Sequence, residues 1–377
     1  MKKVYCYTMS TFKIEIKKIS KIYPHGNADR LELAQAEGMT YQFAVSKGAY
    51  SVGDLLVYFP VDSLLPQEFI QQQNIANFLS GKEKNRVRTV TLRGETSQGY
   101  VASVDDVKRY LKIDVLPEDL TAAMEVVKYE PPEIKISAGN LVRMPEHVSV
   151  YDIEGCDNYP HIVDMLMDIP CVVTEKMEGS NVWATIDPNK KISVGQRNHA
   201  IENLVDGPEH SFWTVMRRDG VIEALGRLSE IYTGSAVTIR SEMVGPGIQG
   251  NYYRLKQLIC FVYDIEVDRK YVSYTDLEPL ITEIGLAGRF VPVLAKGITL
   301  REWLVGRTLQ QAANGVSAWN PTKSEDLVLY DIKKEQRGVC KIREGIVIKP
   351  MTEQYVIGFG RLFLKQRDPV YLDKTGN

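Results

Sequence analysis

Residues 174–181 read Thr-Glu-Lys-Met-Glu-Gly-Ser-Asn and directly follow an apolar run at positions 171–173. The run predicts a short buried strand, and Lys176 comes at its end, where the strand would fix the amine in space. An acid and a glycine follow at positions 178 and 179, and a glycine allows a nucleotide to come close to the backbone. A lysine amine held in this way is suited to attack a phosphorus atom and carry a nucleotide covalently. Because a surface lysine before a turn has the same local pattern, the rest of the chain has to decide.

Further segments in a fixed order along the chain have the features that such a site needs. Each is a short β-type run with one or two charged residues, and they occupy positions 192–198, 238–245, 260–265, 343–350 and 360–367. A predicted hairpin turn at 187–190 places Arg197 at the far end of its return strand. Any one segment alone is an ordinary strand with a solvated charge. All of them after one Lys-x-x-Gly indicate a shared nucleotide-binding site.

The series resembles the nucleotidyltransferase motifs of the superfamily of RNA ligases, DNA ligases and mRNA-capping enzymes, which form a covalent lysyl-nucleotide. By this resemblance, the lysine motif is residues 176–179 and the arginine motif ends at Arg197. The next motifs are the strand of Glu242, residues 261–264, residues 344–349 and a last motif centred on Lys365. The resemblance extends from about residue 136 to the C-terminus and implies a nucleotidyltransferase domain there.

The first third of the chain predicts a small β-barrel. Short strand-like runs recur along it, at positions 12–16, 31 onward, 53–60 and 87–94. A helical interruption lies near residues 67–79. An OB-fold is the expected version, and this fold commonly binds single-stranded nucleic acid. The strand pattern ends near residue 116, and the proline-containing stretch 129–133 is typical of a stiff linker.

The predicted fold class is therefore α+β in two domains. We expect an OB-fold nucleic-acid-binding domain at residues 1–115, a linker at 116–135, and a nucleotidyltransferase domain at 136–377. The second domain would have the ATP-grasp-like antiparallel sheet of ligases and capping enzymes.

The domain order resembles the RNA ligase 5 family, which seals nicks whose 3′-OH strand is RNA on a complementary strand. The segments at 25–31 and 58–62 add to this resemblance. DNA ligases and capping enzymes usually place the OB domain after the last motif. Only ten residues follow Arg367 here, so that arrangement is not expected.

The resemblance also gives the motif residues their roles in catalysis and metal binding. Lys176 would attack the α-phosphate of ATP, while Lys365, Arg367 and Lys349 would neutralise phosphate charge. Three acids would hold Mg²⁺ or Mn²⁺, directly or through the waters that Mg²⁺ retains, and they are Glu178, Glu242 and Glu344.

The remaining site residues would hold the nucleoside. By resemblance, Asn181 and Arg197 would contact the ribose and phosphates, and Glu175 and Tyr263 would surround the adenine, with Tyr263 stacked on the base.

Three positions depart from the usual motifs. Glu178 stands where an aspartate is usual, and Arg367 stands where a second lysine is usual. Arginine keeps the charge but prefers planar, bidentate contacts. Strict strand alternation puts Lys349 on the opposite face from Glu344, so only the resemblance brings Lys349 to the phosphate.

Composition limits the class of protein further. The chain has 377 residues, enough for two domains. No apolar stretch approaches the roughly 20 residues that a membrane span needs, and no secretory signal is evident. The five cysteines lack metal-ligand spacing and indicate reduced thiols, so we expect a cytoplasmic protein. We expect no membrane partner, and no obligate protein partner is evident from the sequence.

The net charge of −2 is not that of a general nucleic-acid coat. A local groove needs only a positive stripe along the phosphates, and one basic stretch offers it with Lys82, Lys84, Arg86, Arg88 and Arg93. By the resemblance to the RNA ligase 5 family, the expected substrate is a nicked duplex with an RNA 3′-OH strand.

Two alternatives stay open. A DNA nick-sealing enzyme would use the same lysyl-AMP chemistry, and a non-catalytic OB-type RNA-binding protein would carry a degenerate second domain. A capping guanylyltransferase is disfavoured by the same domain order. NAD⁺ as AMP donor would usually need an upstream module that the sequence does not contain, which favours ATP.

Overall fold

The computed structural model describes residues 12–39, 41–129, 141–203, 209–253, 255–319 and 342–375. These residues form two compact units. The first contains the described residues up to 129 with 154–161 and 369–375, and the second contains 141–153 and 162–368 without the gaps.

The N-terminal part of the chain is mainly β-structure with two helices among its described residues. Its strands are β1 (Glu15–Pro24), β2 (Leu31–Ala36), β3 (Phe43–Ser46), β4 (Leu55–Phe59), β5 (Ser63–Leu64), β6 (Val90–Leu92), β7 (Glu95–Ser97), β8 (Tyr100–Ser103) and β9 (Val127–Lys128). Its helices are α1 (Gln67–Gln73), within the predicted helical interruption, and α2 (Val104–Leu111), whose N-cap Ser103 accepts a hydrogen bond from the Asp106 amide.

Strand β1 is long enough to pair with two neighbours, which bends the sheet toward a barrel. Its first half pairs with β4 and its second half with β2, and a register shift lies between Ile19 and Lys21. The resulting antiparallel sheet has the order β3-β2-β1-β4-β8. A core that includes Ile14, Phe59 and Phe69 fills one side of it.

Residues beyond position 116 pack onto this same core. Leu120 and Met124 are fully buried beside Ile14 and Phe59, and the Leu120 amide donates to the Ile14 carbonyl at 2.8 Å. The later part of the predicted linker, from residue 130, lies outside the described residues.

The rest of the chain contains both strands and helices. The strands are β10 (Leu141–Arg143), β11 (Glu154–Gly155), β12 (Pro170–Lys176), β13 (Ser180–Ile186), β14 (Ile192–Gln196), β15 (His199–Ile201), β16 (Val237–Val244), β17 (Ile259–Val267), β18 (Lys270–Tyr271), β19 (Val293–Thr299), β20 (Gly345–Pro350), β21 (Tyr355–Val356), β22 (Gly360–Arg361) and β23 (Leu364–Arg367). The helices are α3 (Pro160–Leu166), α4 (Ser211–Arg218), α5 (Val221–Ile231), α6 (Tyr274–Glu283), α7 (Leu300–Leu304), α8 (Leu309–Ala313) and α9 (Pro369–Thr375).

The second unit contains two antiparallel sheets. The larger has the order β10-β15-β14-β13-β16-β17-β18, and its core face packs with residues of α4, α5 and α6 around Phe212, Leu225 and Leu277. In the other sheet β23, β20, β12 and β19 are neighbours in that order. These three helices pack on one face of the larger sheet. Because successive side chains of a strand point to opposite faces, every second residue of these strands faces away from this core.

Three described cysteines, Cys156, Cys171 and Cys260, are buried free thiols. Burial raises the pKa of Cys171 to about 12, so its thiol is protonated at neutral pH. Cys6 and Cys340 lie outside the described residues. Among the helices that the structure describes, each is too short or too polar to cross a membrane.

Candidate active site

Lys176 is the last residue of β12 and stands in one row with residues of two neighbouring strands. It lies opposite Gly345 of β20, which in turn lies opposite Arg367 of β23. Its Nζ is 2.6 Å from Glu344 Oε1, and Arg367 Nε is 3.6 Å from the same oxygen. The lysine, the acid and the arginine predicted from separate motifs therefore meet at one edge of the sheet.

Lys365 lies on the same face of the sheet as Arg367. The residue between them, Gln366, is buried while both basic residues are partly exposed, as strand alternation predicts. Lys365 is opposite Val347, which is opposite Thr174 in β12. Two cationic side chains thus share the face that carries Lys176.

Gly179 lets the strand of Glu242 approach the lysine loop. A Cβ at Gly179 would lie 2.5 Å from the Met243 carbonyl oxygen and 2.8 Å from Glu242 Cγ, which is closer than atoms can approach without movement. The glycine that the sequence interpretation reserved for nucleotide approach is therefore needed here for close packing of β16.

Asn181, Glu242 and Arg197 gather at one end of the larger sheet. Asn181 is opposite Glu242 in the β13–β16 pair, and Arg197 directly follows Gln196, the partner of Val182. The hairpin thus brings Arg197 to the end of the return strand as predicted.

Tyr263 joins this group through its hydroxyl. Asn181 Nδ2 donates a short hydrogen bond to Tyr263 Oη, and the Tyr263 ring packs on the Tyr151 ring with centroids 5.0 Å apart. One side of the Tyr263 ring thus already has an aromatic neighbour. The predicted stacking of Tyr263 on adenine stays a prediction.

Glu242 interacts electrostatically with Lys176, Lys365 and Glu344. Burial raises the pKa of Glu242 to about 8, Lys176 and Lys365 oppose the rise, and Glu344 adds to it. Glu242 is therefore coupled electrostatically to these three charged side chains.

This pKa gives a testable pH dependence. Because the folded state holds its Glu242 proton up to about pH 8 and the unfolded state releases it near 4.5, stability should fall as pH rises through this window. Glu242→Gln removes that titration. We expect the free energy of unfolding of Glu242→Gln, relative to wild type, to rise between pH 5 and 8 in urea titrations without metal or nucleotide. A difference that stays constant over this range would contradict the expectation.

Glu175 and Glu178 sit on either side of Lys176 with different partners. The Glu175 carboxylate accepts hydrogen bonds from Ser317 Oγ and from the Ala318 amide, both at 2.6 Å, and burial raises its pKa. The Glu178 amide donates to Tyr253 Oη at 2.9 Å, and its side chain is buried. Both acids are therefore part of the structure that holds the lysine segment.

Lys349 lies farther along β20, opposite Val172. Its ammonium donates to Asp264 Oδ1 at 2.9 Å and to the Tyr263 carbonyl at 3.0 Å. Arg361 donates to the same carboxylate at 2.8 and 3.1 Å. The sequence predicts Lys349 at a phosphate; in this structure its charge is paired with Asp264, and the predicted role stays a prediction.

Several residues that build this site have no predicted role in the sequence analysis. They are Asp264, Arg361, Tyr252, Tyr253, Ser317 and Trp319. An acid inside the apolar run of β17 was the one available signal, because a buried charge needs a partner. The side-chain partners of Asp264 lie 85, 97 and 113 positions away in the chain, so no local pattern indicates them.

The three acids predicted to hold a metal are Glu178, Glu242 and Glu344. Within the described parts of the chain, no three acidic, histidine or cysteine side chains are close enough to form a cage on their own. Glu344 lies close enough to raise the pKa of Glu242, and two carboxylates with several waters suit Mg²⁺. The residues present therefore fit a metal that is held largely through water and nucleotide phosphates.

Comparison with known families matches both parts of the chain. The RNA ligase family matches residues 169–366, and an OB-fold domain family matches residues 13–104. The chain belongs to the RNA ligase family, which confirms the family predicted from the motifs. The predicted fold class, an OB-fold domain followed by a ligase-type domain, is confirmed as well. No match was found among curated protein sequences.

Solved structures of an RNA ligase from Naegleria gruberi have the same fold along nearly the whole chain. A variant solved without ligand has a TM-score of 0.73 and 23% identity, and covers 96% of this chain and 98% of that one. A variant solved with ATP and Mn has the same score and identity, over 97% and 98%. A third variant, solved with AMP and Mn, also has a TM-score of 0.73 and 23% identity, and the match covers 96% of this chain and 98% of that one.

Proposed function

We propose that this protein is an ATP-dependent RNA ligase that seals 3′-OH/5′-phosphate nicks in duplexes whose 3′-OH strand is RNA. One observation carries the proposal: the amine of Lys176 is 2.6 Å from Glu344 in a row that continues to Arg367. Glu242, coupled to both Lys176 and Lys365, faces this row. Lys176, the proposed nucleophile, thus lies close to Arg367, a proposed cation for phosphate charge, and to Glu344, a proposed acid for the metal.

In the first step, Lys176 Nζ would attack the α-phosphorus of ATP. The new N–P bond forms as the bond to the bridging oxygen breaks, and pyrophosphate leaves with that electron pair. An ordinary lysine is protonated at neutral pH, so the amine must lose one proton before it attacks and a second once the N–P bond has formed, and both protons pass to solvent water. The contact with Glu344 Oε1 at 2.6 Å holds the amine in place for this step.

Lys365 and Arg367 would balance the charge that develops on the phosphates. Both lie on the face that carries Lys176, and fixed cations aimed at developing negative charge are a large source of catalysis. Asn181 and Arg197 would hold the ribose and phosphates from the larger sheet, and Glu175 and Tyr263 would lie around the adenine.

ATP and a divalent cation, Mg²⁺ or Mn²⁺, are the proposed cofactors. The N. gruberi ligase was solved with ATP and Mn and with AMP and Mn, which supports the choice. Glu178, Glu242 and Glu344 are the proposed acids for the cation, and when bound it would neutralise phosphate charge.

The later steps transfer AMP and join the strands. The 5′-phosphate at the nick would attack the lysyl-AMP phosphorus, which frees Lys176 and leaves an adenylylated 5′ end. The 3′-OH would then attack the 5′-phosphorus, and AMP would leave.

Three buried thiols agree with a reducing cytoplasmic location, which we propose as well.

The test is a set of matched nicks that differ only in the sugar of the 3′-OH strand. We expect sealing with ATP and Mn²⁺ when that strand ends in RNA, and little sealing when it ends in DNA. Equal sealing of all-DNA nicks would favour the DNA ligase alternative. Absence of sealing and of protein-bound AMP would favour the non-catalytic RNA-binding alternative.

The N-terminal unit would recognise the nick through its basic stretch. Lys82 and Lys84 are exposed, whereas Arg86 is already paired with Asp62 at 2.6 Å and lies 3.8 Å from the Tyr129 ring centroid. The two lysines are therefore better placed to meet a phosphate chain than Arg86.

Charge reversal at these two lysines tests that role. Lys82→Glu/Lys84→Glu should weaken nick binding and reduce the salt slope of log K by about 1 for each lost phosphate contact, while lysyl-AMP formation continues. The matched control, Lys191→Glu/Lys270→Glu, reverses two exposed charges in the second unit. Equal loss of binding in both double variants would contradict a specific role for the basic stretch.

A further inference from the structure

Two adjacent tyrosines connect the segments that carry the lysine and one of the acids. The hydroxyl oxygen of Tyr253 accepts a hydrogen bond from the Glu178 amide at 2.9 Å, two positions after Lys176. The hydroxyl of Tyr252 donates to the Ile342 carbonyl at 2.5 Å, two positions before Glu344. Residues 176 and 344 are the pair whose side chains meet at 2.6 Å.

A tight turn fixes the two tyrosines relative to each other. Asn251 adopts a positive φ of 55°, which asparagine tolerates better than most residues. Its side chain donates to the Leu255 carbonyl at 2.8 Å and accepts from the Leu255 amide at 2.9 Å. These two hydrogen bonds tie Asn251 to Leu255, and the two tyrosine rings stand nearly perpendicular, at 88°.

Tyr253 is held on its other sides by aromatic rings and by methionine. It is 2% exposed, and its ring makes an edge contact with Trp319, with centroids 5.1 Å apart. Trp319 in turn contacts Phe261 at 4.9 Å. The Tyr253 hydroxyl also points its proton toward Met177 Sδ at 3.8 Å. A ring confined in this way cannot follow the lysine segment if that segment moves.

We propose that Tyr252 and Tyr253 are positioning residues that hold the Lys176 and Glu344 segments in register for adenylylation. The inference rests on the proposed function. Neither hydroxyl contacts the reacting atoms; each holds a backbone group next to a residue that does. Loss of either bond leaves a backbone group unpaired and frees one segment relative to the other, so that the amine is less often aligned for attack.

The test is single-turnover transfer of AMP from labelled ATP to the full-length protein with Mn²⁺. For Tyr253→Phe we expect the rate constant to fall on the order of 10- to 100-fold at saturating ATP, while the labelled fraction reaches the wild-type level. Tyr252→Phe should act in the same direction. The double variant should lose less than the product of the two single losses, because both bonds hold the same alignment.

Tyr58→Phe is the matched control. Tyr58 is 3% exposed and its hydroxyl donates to the Gln98 carbonyl at 3.2 Å, all within the N-terminal unit, so its rate constant should match wild type. Wild-type rate constants in both Tyr252→Phe and Tyr253→Phe, or losses confined to the labelled fraction, would overturn the positioning role alone. A wild-type protein that takes no label would overturn the proposed function and this inference with it.

Discussion

Lys176→Ala should abolish sealing of an ordinary 5′-phosphate nick but retain sealing of a nick whose 5′ end already carries AMP. In the proposed mechanism Lys176 is the covalent carrier of the first step, while the last step joins an end that is already activated. The amine of Lys176 lies 2.6 Å from Glu344, and alanine has no nucleophile to offer. Gel assays of both substrates, with equal amounts of enzyme, measure the two activities separately.

The control for this experiment is Lys191→Ala. Lys191 is an exposed lysine in the turn between β13 and β14, and its loss should leave both activities at the wild-type level. If Lys176→Ala still seals the ordinary nick, a covalent lysyl-AMP at this position is ruled out. If it seals neither substrate, Lys176 also has a role beyond that of carrier.

Asp264→Asn should destabilise the second unit by about 3–5 kcal/mol, the cost of removing one partner from a buried ion pair. Asp264 is 1% exposed and accepts from Lys349, Arg361 and Tyr151. Its replacement leaves two buried cations with less negative charge to balance them. The unfolding transition of the second unit in urea, followed by far-UV circular dichroism, measures the loss.

The pH dependence of that loss has a definite sign. Burial acts to raise the pKa of Asp264, but Arg361 and Lys349 outweigh it and hold the pKa below the ordinary 3.8. The stabilisation should therefore be complete above pH 3.8 and decrease as pH falls below it. The difference between Asp264→Asn and wild type should shrink in that acidic range.

An exposed ion pair supplies the matched control. Asp168 accepts from Arg301 at 2.7 and 3.1 Å, with the two side chains 71% and 63% exposed. Exposed pairs contribute about 0–1 kcal/mol, so Asp168→Asn should have a small effect. An Asp264→Asn loss no larger than the Asp168→Asn loss would show that the buried network does not hold the fold.

The fold was predictable where local pattern and motif order agree. The turn at 187–190 lies between an apolar run and a β-branched run, and the structure forms β13 and β14 on either side of it. The lysine run at 171–176 is a strand, because its apolar residues are buried between two neighbouring strands.

The contacts that hold the site together were not predictable in the same way. Tyr253 meets Glu178 across 75 positions, and Arg361 meets Asp264 across 97. Such pairs depend on which strands become neighbours, and single-residue periodicity carries no information about that. A bulge in β17 also interrupts strict alternation, since Val262 and Asp264 pair with consecutive residues of β16 and Tyr263 is the extra residue.

The most direct test of the central claim is to incubate the purified protein with ATP and Mn²⁺ and map the modified peptide by mass spectrometry. We predict one AMP moiety per chain, on the peptide that contains Lys176, and none on Lys176→Ala. AMP on another residue, or a wild-type protein that remains unmodified with ATP, would contradict the assignment of Lys176 as the nucleotide carrier.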